Sequence, residues 1–264
     1  MPESGTTLLR SAVHGASCVA AGLLDWFYPP HCRQCGLPLS GRKDRLLCDH
    51  CHARLERTRI RPPVCDLCGL PMDLDPARGL PTCLRCGAGR PHFDRARSLF
   101  AYSGPAMSLI VDLKFHGAFY LADWFVRRAS STGWLGEAAA ALGSARPVDV
   151  VAPVPLHPRR RHERGYDQAL LIARSLAPQV NAPLCAGALR RLRYTEPQTR
   201  LTAARRWKNV RGAFACGEAD WVGRHVLLVD DVMTTGATAS ECARVLKRGG
   251  AAMVSVLTLA RTRS

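Results

Sequence analysis

The chain has 264 residues, a formal charge of +16, 47% apolar residues and twelve cysteines. That length exceeds one ordinary domain, so a moderate domain with a small appended module is expected, and the apolar share excludes a disordered polyelectrolyte. The basic balance calls for an anionic partner, which charge alone leaves open between a phosphorylated small molecule, a nucleic acid and an acidic surface.

In chain order, Leu8 to Leu24 is apolar but interrupted by Arg10, His14 and Gly15. It is too short and polar to cross a bilayer and lacks the form of an export signal, so the expectation is a short helix packed on the rest of the protein, with no membrane span. A cytoplasmic location follows, where thiols stay reduced and disulfides are rare.

Cys32, Cys35, Cys48 and Cys51 form one pair of C-x2-C turns, and Cys65, Cys68, Cys83 and Cys86 form a second. Two such turns aim four thiolates at one centre and close a tetrahedral site with no open position, so two structural zinc ions are expected. Gly36, Gly69 and Gly87 each follow a cysteine pair, where a turn with positive φ is expected. The metals hold together a stretch with too little core of its own, and chelation is expected to unfold it first. An added nucleic-acid role rests on Arg33, Arg42, Lys43, Arg45, Arg54, Arg57, Arg59 and Arg61 around the first set. Cys18, Cys185, Cys216 and Cys242 have no partner at ligand spacing and are expected to be buried hydrophobes.

Beyond Pro91 the composition changes to Ala, Leu and Val. Strands are expected at Val148 to Val154, Arg224 to Val229 and Ala251 to Ala260, with helices at Gly165 to Ala177 and Ala237 to Arg248, the latter stopped by Gly249 and Gly250. Alternation of this kind means a parallel sheet with crossover helices, and ligands then sit beyond the carboxyl ends of the strands.

The run from Val226 to Thr238 carries the chemistry. A buried strand ends in Asp230 and Asp231, then passes through Val232, Met233, Thr234, Thr235 and Gly236 into a helix beginning at Ala237 and Thr238. Free N–H groups and threonine hydroxyls at a helix start cradle a phosphate monoester, and Gly236 lets the backbone approach it. Two aspartates beside a phosphate would repel it unless they grip ribose hydroxyls or a magnesium ion.

This stretch resembles the phosphoribosyl-pyrophosphate motif of type I phosphoribosyltransferases. Two more segments, Ala152 to Gln168 and Pro197 to Phe214, resemble signatures of the ComF family, and with the paired cysteine sets the likeness covers nearly the whole chain. It implies an α/β type I phosphoribosyltransferase fold, a parallel sheet flanked by helices, preceded by a small double zinc ribbon. The implied division is 1–30 as a lead-in, 31–91 as the ribbons and 92–264 as the phosphoribosyltransferase-like domain.

By the same resemblance Asp230 and Asp231 hold the ribose hydroxyls with magnesium nearby, and Thr234 to Thr238 wrap the 5-phosphate. Val154, Pro155, Leu156, His157, Arg164 and Gly165 would bind pyrophosphate, with Lys114 as a further anion contact. Gln198, Arg205 and Asn209 would lie on a mobile flap, with Arg205 reaching the phosphates as a catalytic group. Purine-salvage members carry a carboxylate where this chain has Thr234, so no general base is assigned.

Two functions follow. One is transfer of phosphoribosyl from phosphoribosyl pyrophosphate with magnesium to an unidentified acceptor. The other is a competence or DNA-uptake factor that binds single-stranded DNA and other DNA-uptake proteins, its phosphoribosyltransferase site serving to sense a ligand or hold an anion.

Overall fold

The computed structural model describes residues 29–39, 46–72, 82–143, 146–195, 203–217 and 219–262. The expected helix within Leu8 to Leu24 lies outside them, as do Cys18, Arg42, Lys43, Arg45 and Gln198. The chain divides into two compact units, Met1–Arg57 and Thr58–Ser264.

In the smaller unit, Cys32 to Gly36 make a tight turn closed by the Gly36 N–H on the Cys32 carbonyl at 2.8 Å, with Gly36 at φ 74°. A bridge between His31 and Pro38 completes this knuckle. Helix α1 (Asp49–Glu56) starts directly after Cys48, which places Cys51 on its first turn. Leu39, Leu47 and Leu55 are buried beside the cysteines. That is a very small apolar core, which is why metal ligation has to supply the folding energy here.

The larger unit repeats the arrangement. Gly69 (φ 68°) closes the second knuckle, Val64 bridges Pro71, and helix α2 (Leu84–Ala88) follows Cys83. Gly87 lies inside α2 and is not among the positive-φ glycines, so the expectation of a third left-handed turn is corrected. In each set the first cysteine pair sits on a turn and the second on a helix start.

This second knuckle is packed on the main sheet: the Ala96 N–H donates to the Leu67 carbonyl at 2.7 Å, and a Cβ on Gly69 would come within 2.6 Å of the Ala96 carbonyl oxygen. Only glycine fits there.

The main sheet is parallel throughout, in the order β1 (Arg95–Ala101), β6 (Met253–Arg261), β5 (His225–Met233), β2 (Val150–Pro153). The central strands β5 and β6 are almost wholly buried, as continuous runs such as His-Val-Leu-Leu-Val require in a sheet covered on both faces. Helices α3 (Gly104–Phe115), α4 (Tyr120–Ser131) and α5 (Trp134–Gly143) link β1 to β2, and α6 (Pro158–Arg164) and α7 (Gln168–Gln179) follow β2. A hairpin of β3 (Leu189–Arg191) and β4 (Phe214–Cys216) carries helix α8 (Ala203–Val210) between its strands, and α9 (Ala237–Arg248) joins β5 to β6.

Two expected boundaries move by more than two residues, one for a local reason and one through strand pairing. Gly165 does not open a helix; it ends α6 in the left-handed conformation (φ 77°), and α7 begins after Asp167, whose carboxylate accepts the Leu170 N–H at 3.1 Å as an N-cap. Strand β5 runs four residues past Val229 because β6 keeps pairing with it, Asp230 opposite Thr258 and Met233 opposite Arg261. The aspartates therefore stand on a strand. Helix α9 has the expected limits, and Gly250 beyond it is at φ 102°.

Candidate functional site

The candidate site lies at the carboxyl ends of β2 and β5 and the start of α9. Asp230 is half-buried and Asp231 is 9% exposed. The Asp231 N–H donates to Asp230 Oδ1 at 2.8 Å, and Lys114 Nζ at the end of α3 pairs with Asp231 Oδ1 at 2.9 Å. Burial, reinforced by the Asp231 charge, pushes the Asp230 carboxyl up to about 8, against the pull of the Asp231 N–H and Lys114. A carboxylic acid there stays largely protonated at neutral pH.

From Asp230 the chain turns towards α9. Asp230, Val232, Met233, Thr234, Gly236, Ala237 and Thr238 line a cleft. Thr235 is buried, and its Oγ1 accepts the Ala237 N–H at 3.3 Å. Gly236 is the N-cap of α9 at φ 79° and, having no side chain, caps nothing itself, so the helix start faces the cleft with its positive end. A Cβ on Gly236 would meet Phe93 at an ordinary contact distance of 3.6 Å, so an L-residue is opposed there by conformation and not by space.

The loop after β2 borders the same place. The Val154 N–H bonds the Val229 carbonyl at 2.9 Å, and the Leu156 N–H donates to Asp167 Oδ2 at 3.2 Å. His157 caps α6 by accepting the Arg159 N–H at 3.2 Å, with Pro155 and Leu156 half-buried between. Arg164 donates to Gln168 Oε1 at 2.9 Å and lies 4.9 Å over the exposed Phe115 ring. Gly165 is exposed beside it.

The residues that the sequence places around the ligand thus separate. Asp230, Asp231, Lys114 and the loop through Leu156 form one connected group. Arg205 and Asn209 lie on α8, where Arg205 is exposed and makes no hydrogen bond or ion pair among the described residues.

Asp167 is the residue that sequence reading left out of the site. It is a third carboxyl in the group: burial pushes it up, the Leu156 and Leu170 amides and Arg161 pull it down, and the Asp231 charge raises it. Its neighbour Tyr166 donates its hydroxyl to the Leu113 carbonyl at 2.5 Å, tying this loop to the residue before Lys114. The sequence expectation puts Asp167 inside a helix from Gly165 to Ala177, and the signal it does carry, a short polar residue before an apolar run, points to an N-cap and not to a site.

Away from this cleft, each cysteine set brings its four sulfurs within 4.8 Å of one another. The Cys48 N–H points at Cys32 Sγ (3.4 Å) and the Cys83 N–H at Cys65 Sγ (3.3 Å), the same backbone bond to a ligand sulfur in both. Four thiolates on two knuckles suit a tetrahedral zinc ion and leave no place for a substrate. Metal analysis of fresh protein is expected to find two zinc ions per chain; one or none overturns the assignment.

A family model described as a double zinc ribbon domain matches residues 23–87, and one described as a phosphoribosyl transferase domain matches residues 167–264. The chain is 33% identical over 234 residues to "DNA utilization protein YhgH" of Salmonella typhimurium, covering 89% of this chain and 98% of that one. It is 29% identical over 218 residues to "Competence protein F" of Haemophilus influenzae, covering 81% and 90%. The chain belongs to the ComF family. Among solved structures, a glutamine phosphoribosylpyrophosphate amidotransferase from B. subtilis, complexed with ADP and GMP, is similar at 24% identity and a TM-score of 0.33, over 51% of this chain and 26% of that one. As a ComF-family chain the protein joins a double zinc ribbon to a parallel-sheet phosphoribosyltransferase fold. No helix among its described residues is long and apolar enough to cross a membrane.

Proposed function

We propose that this ComF-family chain binds phosphoribosyl pyrophosphate with magnesium in the cleft between β2, β5 and α9, and transfers the phosphoribosyl group to an acceptor. The observation that carries the reading is the pairing of two carboxyls, Asp230 and Asp231, with a glycine at φ 79° that opens a helix, within seven residues. Carboxylates alone would repel a phosphate, and a helix start alone would not select a ribose. Together they fit a phosphorylated sugar carrying a cation.

Asp230 and Asp231 would accept from the ribose 2- and 3-hydroxyls, while the backbone from Thr234 to Thr238 and the threonine hydroxyls hold the 5-phosphate. Magnesium on the pyrophosphate would neutralise charge on the leaving group. Lys114, now on Asp231, would turn to an anion entering beside it, and the loop through Leu156 and His157 would border that anion. Val154 and Pro155 would shape that loop, with Arg164 and Gly165 at its edge. The chain offers no carboxylate at Thr234 to take a proton from the acceptor, so acceleration would rest on positioning and charge. Arg205 would act by closure of α8 with Gln198 and Asn209.

The test is pure protein mixed with the pyrophosphate ligand and magnesium. A rise in melting temperature that needs both is expected, and pyrophosphate should appear when a metabolite extract supplies the acceptor. No shift at millimolar ligand rejects the site.

A second reading, binding of single-stranded DNA, is favoured by one observation. Arg159 and Arg160 lie 5.0 and 5.4 Å over the Tyr194 ring, and Arg164 lies over Phe115 at the other end of α6. Guanidinium and aromatic faces alternating along a basic helix suit stacked bases and phosphates. Such binding should fall steeply with salt and depend little on base sequence. Reversing Arg159, Arg160 and Arg161 to glutamate should weaken it at least tenfold in a gel shift, and affinity that ignores both salt and this change removes the reading.

A further inference from the structure

Arg261, near the end of β6, is 1% exposed. A guanidinium so deeply buried ordinarily has a carboxylate. Here Nη1 donates to the Cys68 carbonyl and lies 3.9 Å from Met233 Sδ, Nε reaches the Thr262 carbonyl at 3.4 Å, and no carboxylate bonds or pairs with it among the described residues. These carbonyls take two of its five N–H donors and leave its charge uncompensated.

The missing charge is at hand. Cys68 is a ligand of the second cysteine centre, and four thiolates around one divalent ion leave roughly two negative charges in excess. A second cation, Arg97, donates to the Asp66 carbonyl of the same knuckle at 3.1 Å. On the opposite side Arg261 stands across from Met233 in the strand register, and Met233 opens the turn to Gly236. The segment leaving the cysteine centre reaches that turn as well. The His92 N–H donates to Ser240 Oγ on α9 at 2.9 Å, and Phe93 lies against Gly236.

We infer that Arg261 is the buried counter-ion of the second zinc centre, and that it ties metal occupancy there to the shape of the Met233–Gly236 turn. The pairing stabilises both partners: the thiolate cluster removes the cost of an uncompensated guanidinium, and the guanidinium strengthens retention of the metal. Among the described residues no arginine other than Arg261 is buried, so the first centre serves as an internal reference. The part of the inference that concerns the turn rests on the proposed ligand site; the part that concerns the metal does not.

Zinc release from the full chain to a chromophoric chelator tests the metal half. In Arg261→Met one of the two ions should leave about tenfold faster or more, the other at the parent rate. With Cys32 and Cys35 changed to serine, only the fast ion should remain. Arg261→Lys keeps the charge and should release close to the parent rate; if the Met variant is not recovered folded, Arg261→Gln replaces it in the comparison. Parent rates for both ions in a folded neutral variant overturn the inference, as does equal acceleration in the Lys and neutral variants, which would assign the effect to shape. For the turn, the neutral variant should bind phosphoribosyl pyrophosphate with magnesium about tenfold more weakly than the parent. Parent affinity there overturns the coupling alone, whereas a parent that does not bind rejects the proposed ligand site and leaves the zinc result standing.

Discussion

Affinity for the magnesium complex of phosphoribosyl pyrophosphate should rise about tenfold per pH unit towards pH 8 and then level off. The ligand needs Asp230 as a carboxylate, whereas in the free protein burial and the Asp231 charge hold that group protonated until about 8. Each unit below that value leaves a tenth as much of the competent form. The ligand's own phosphate titrates nearby, so the profile is read against Asp230→Asn, which keeps the ligand's titration and loses the protein's.

Stability should move the opposite way. The folded pKa is raised above the ordinary aspartate value near 3.9, so between roughly 4 and 8 the folded protein binds the extra proton and stability falls as pH rises through this window. Changing Asp230 and Asp231 to Asn should therefore leave the protein as stable as the parent at pH 8, or more so. The same variant should lose ligand response, since each charged hydrogen bond to the ligand is worth about 2 kcal/mol. Lys114→Met removes a neighbour that lowers the Asp230 pKa and should shift the affinity profile to higher pH. A parent whose melting temperature and affinity are flat from pH 6 to 9, or an Asn variant that responds fully, removes Asp230 and Asp231 from the site.

Much of this was legible because its signals are local. Spacing alone paired the eight cysteines, and period and composition located α9 and the three strands β2, β5 and β6 that bear on the cleft. What escaped depends on contacts between distant positions. Strand β5 continues through Asp230 to Met233 only because β6 stays alongside it, which no pattern within β5 reveals. Asp167 falls within the helix expected from Gly165 to Ala177, and its place near the Asp231 charge comes from the return of the chain to the sheet. Arg261 falls one residue beyond the strand expected at Ala251 to Ala260 and carries no local sign of burial, yet it is among the most deeply buried side chains. Its partner lies 193 residues earlier.

The two cysteine sets, alike in spacing, should differ sharply when broken. Cys32→Ser with Cys48→Ser should unfold the smaller unit and leave the larger one melting as before. Cys65→Ser with Cys83→Ser should unfold the larger unit itself. In the smaller unit Cys32, Cys48 and Cys51 are buried with a few leucines of their own, and Cys35 is exposed. In the larger, Cys65, Cys68, Cys83 and Cys86 share one apolar cluster with Phe93 and Ala96, with Val226 and Leu228 of β5, and with Val254 and Val256 of β6. A structural zinc site contributes on the order of 10 kcal/mol, against a whole-domain stability of about 5–15 kcal/mol. Loss of the second site therefore consumes most or all of what holds the sheet, and it leaves the Arg261 guanidinium buried without the thiolate charge. Circular dichroism melting, with protease cutting after 57 to separate the units, measures both variants. A larger unit that melts unchanged without its cysteines would mean that the second knuckle rests on the sheet without supporting it, and would also remove the basis for placing the counter-charge of Arg261 there.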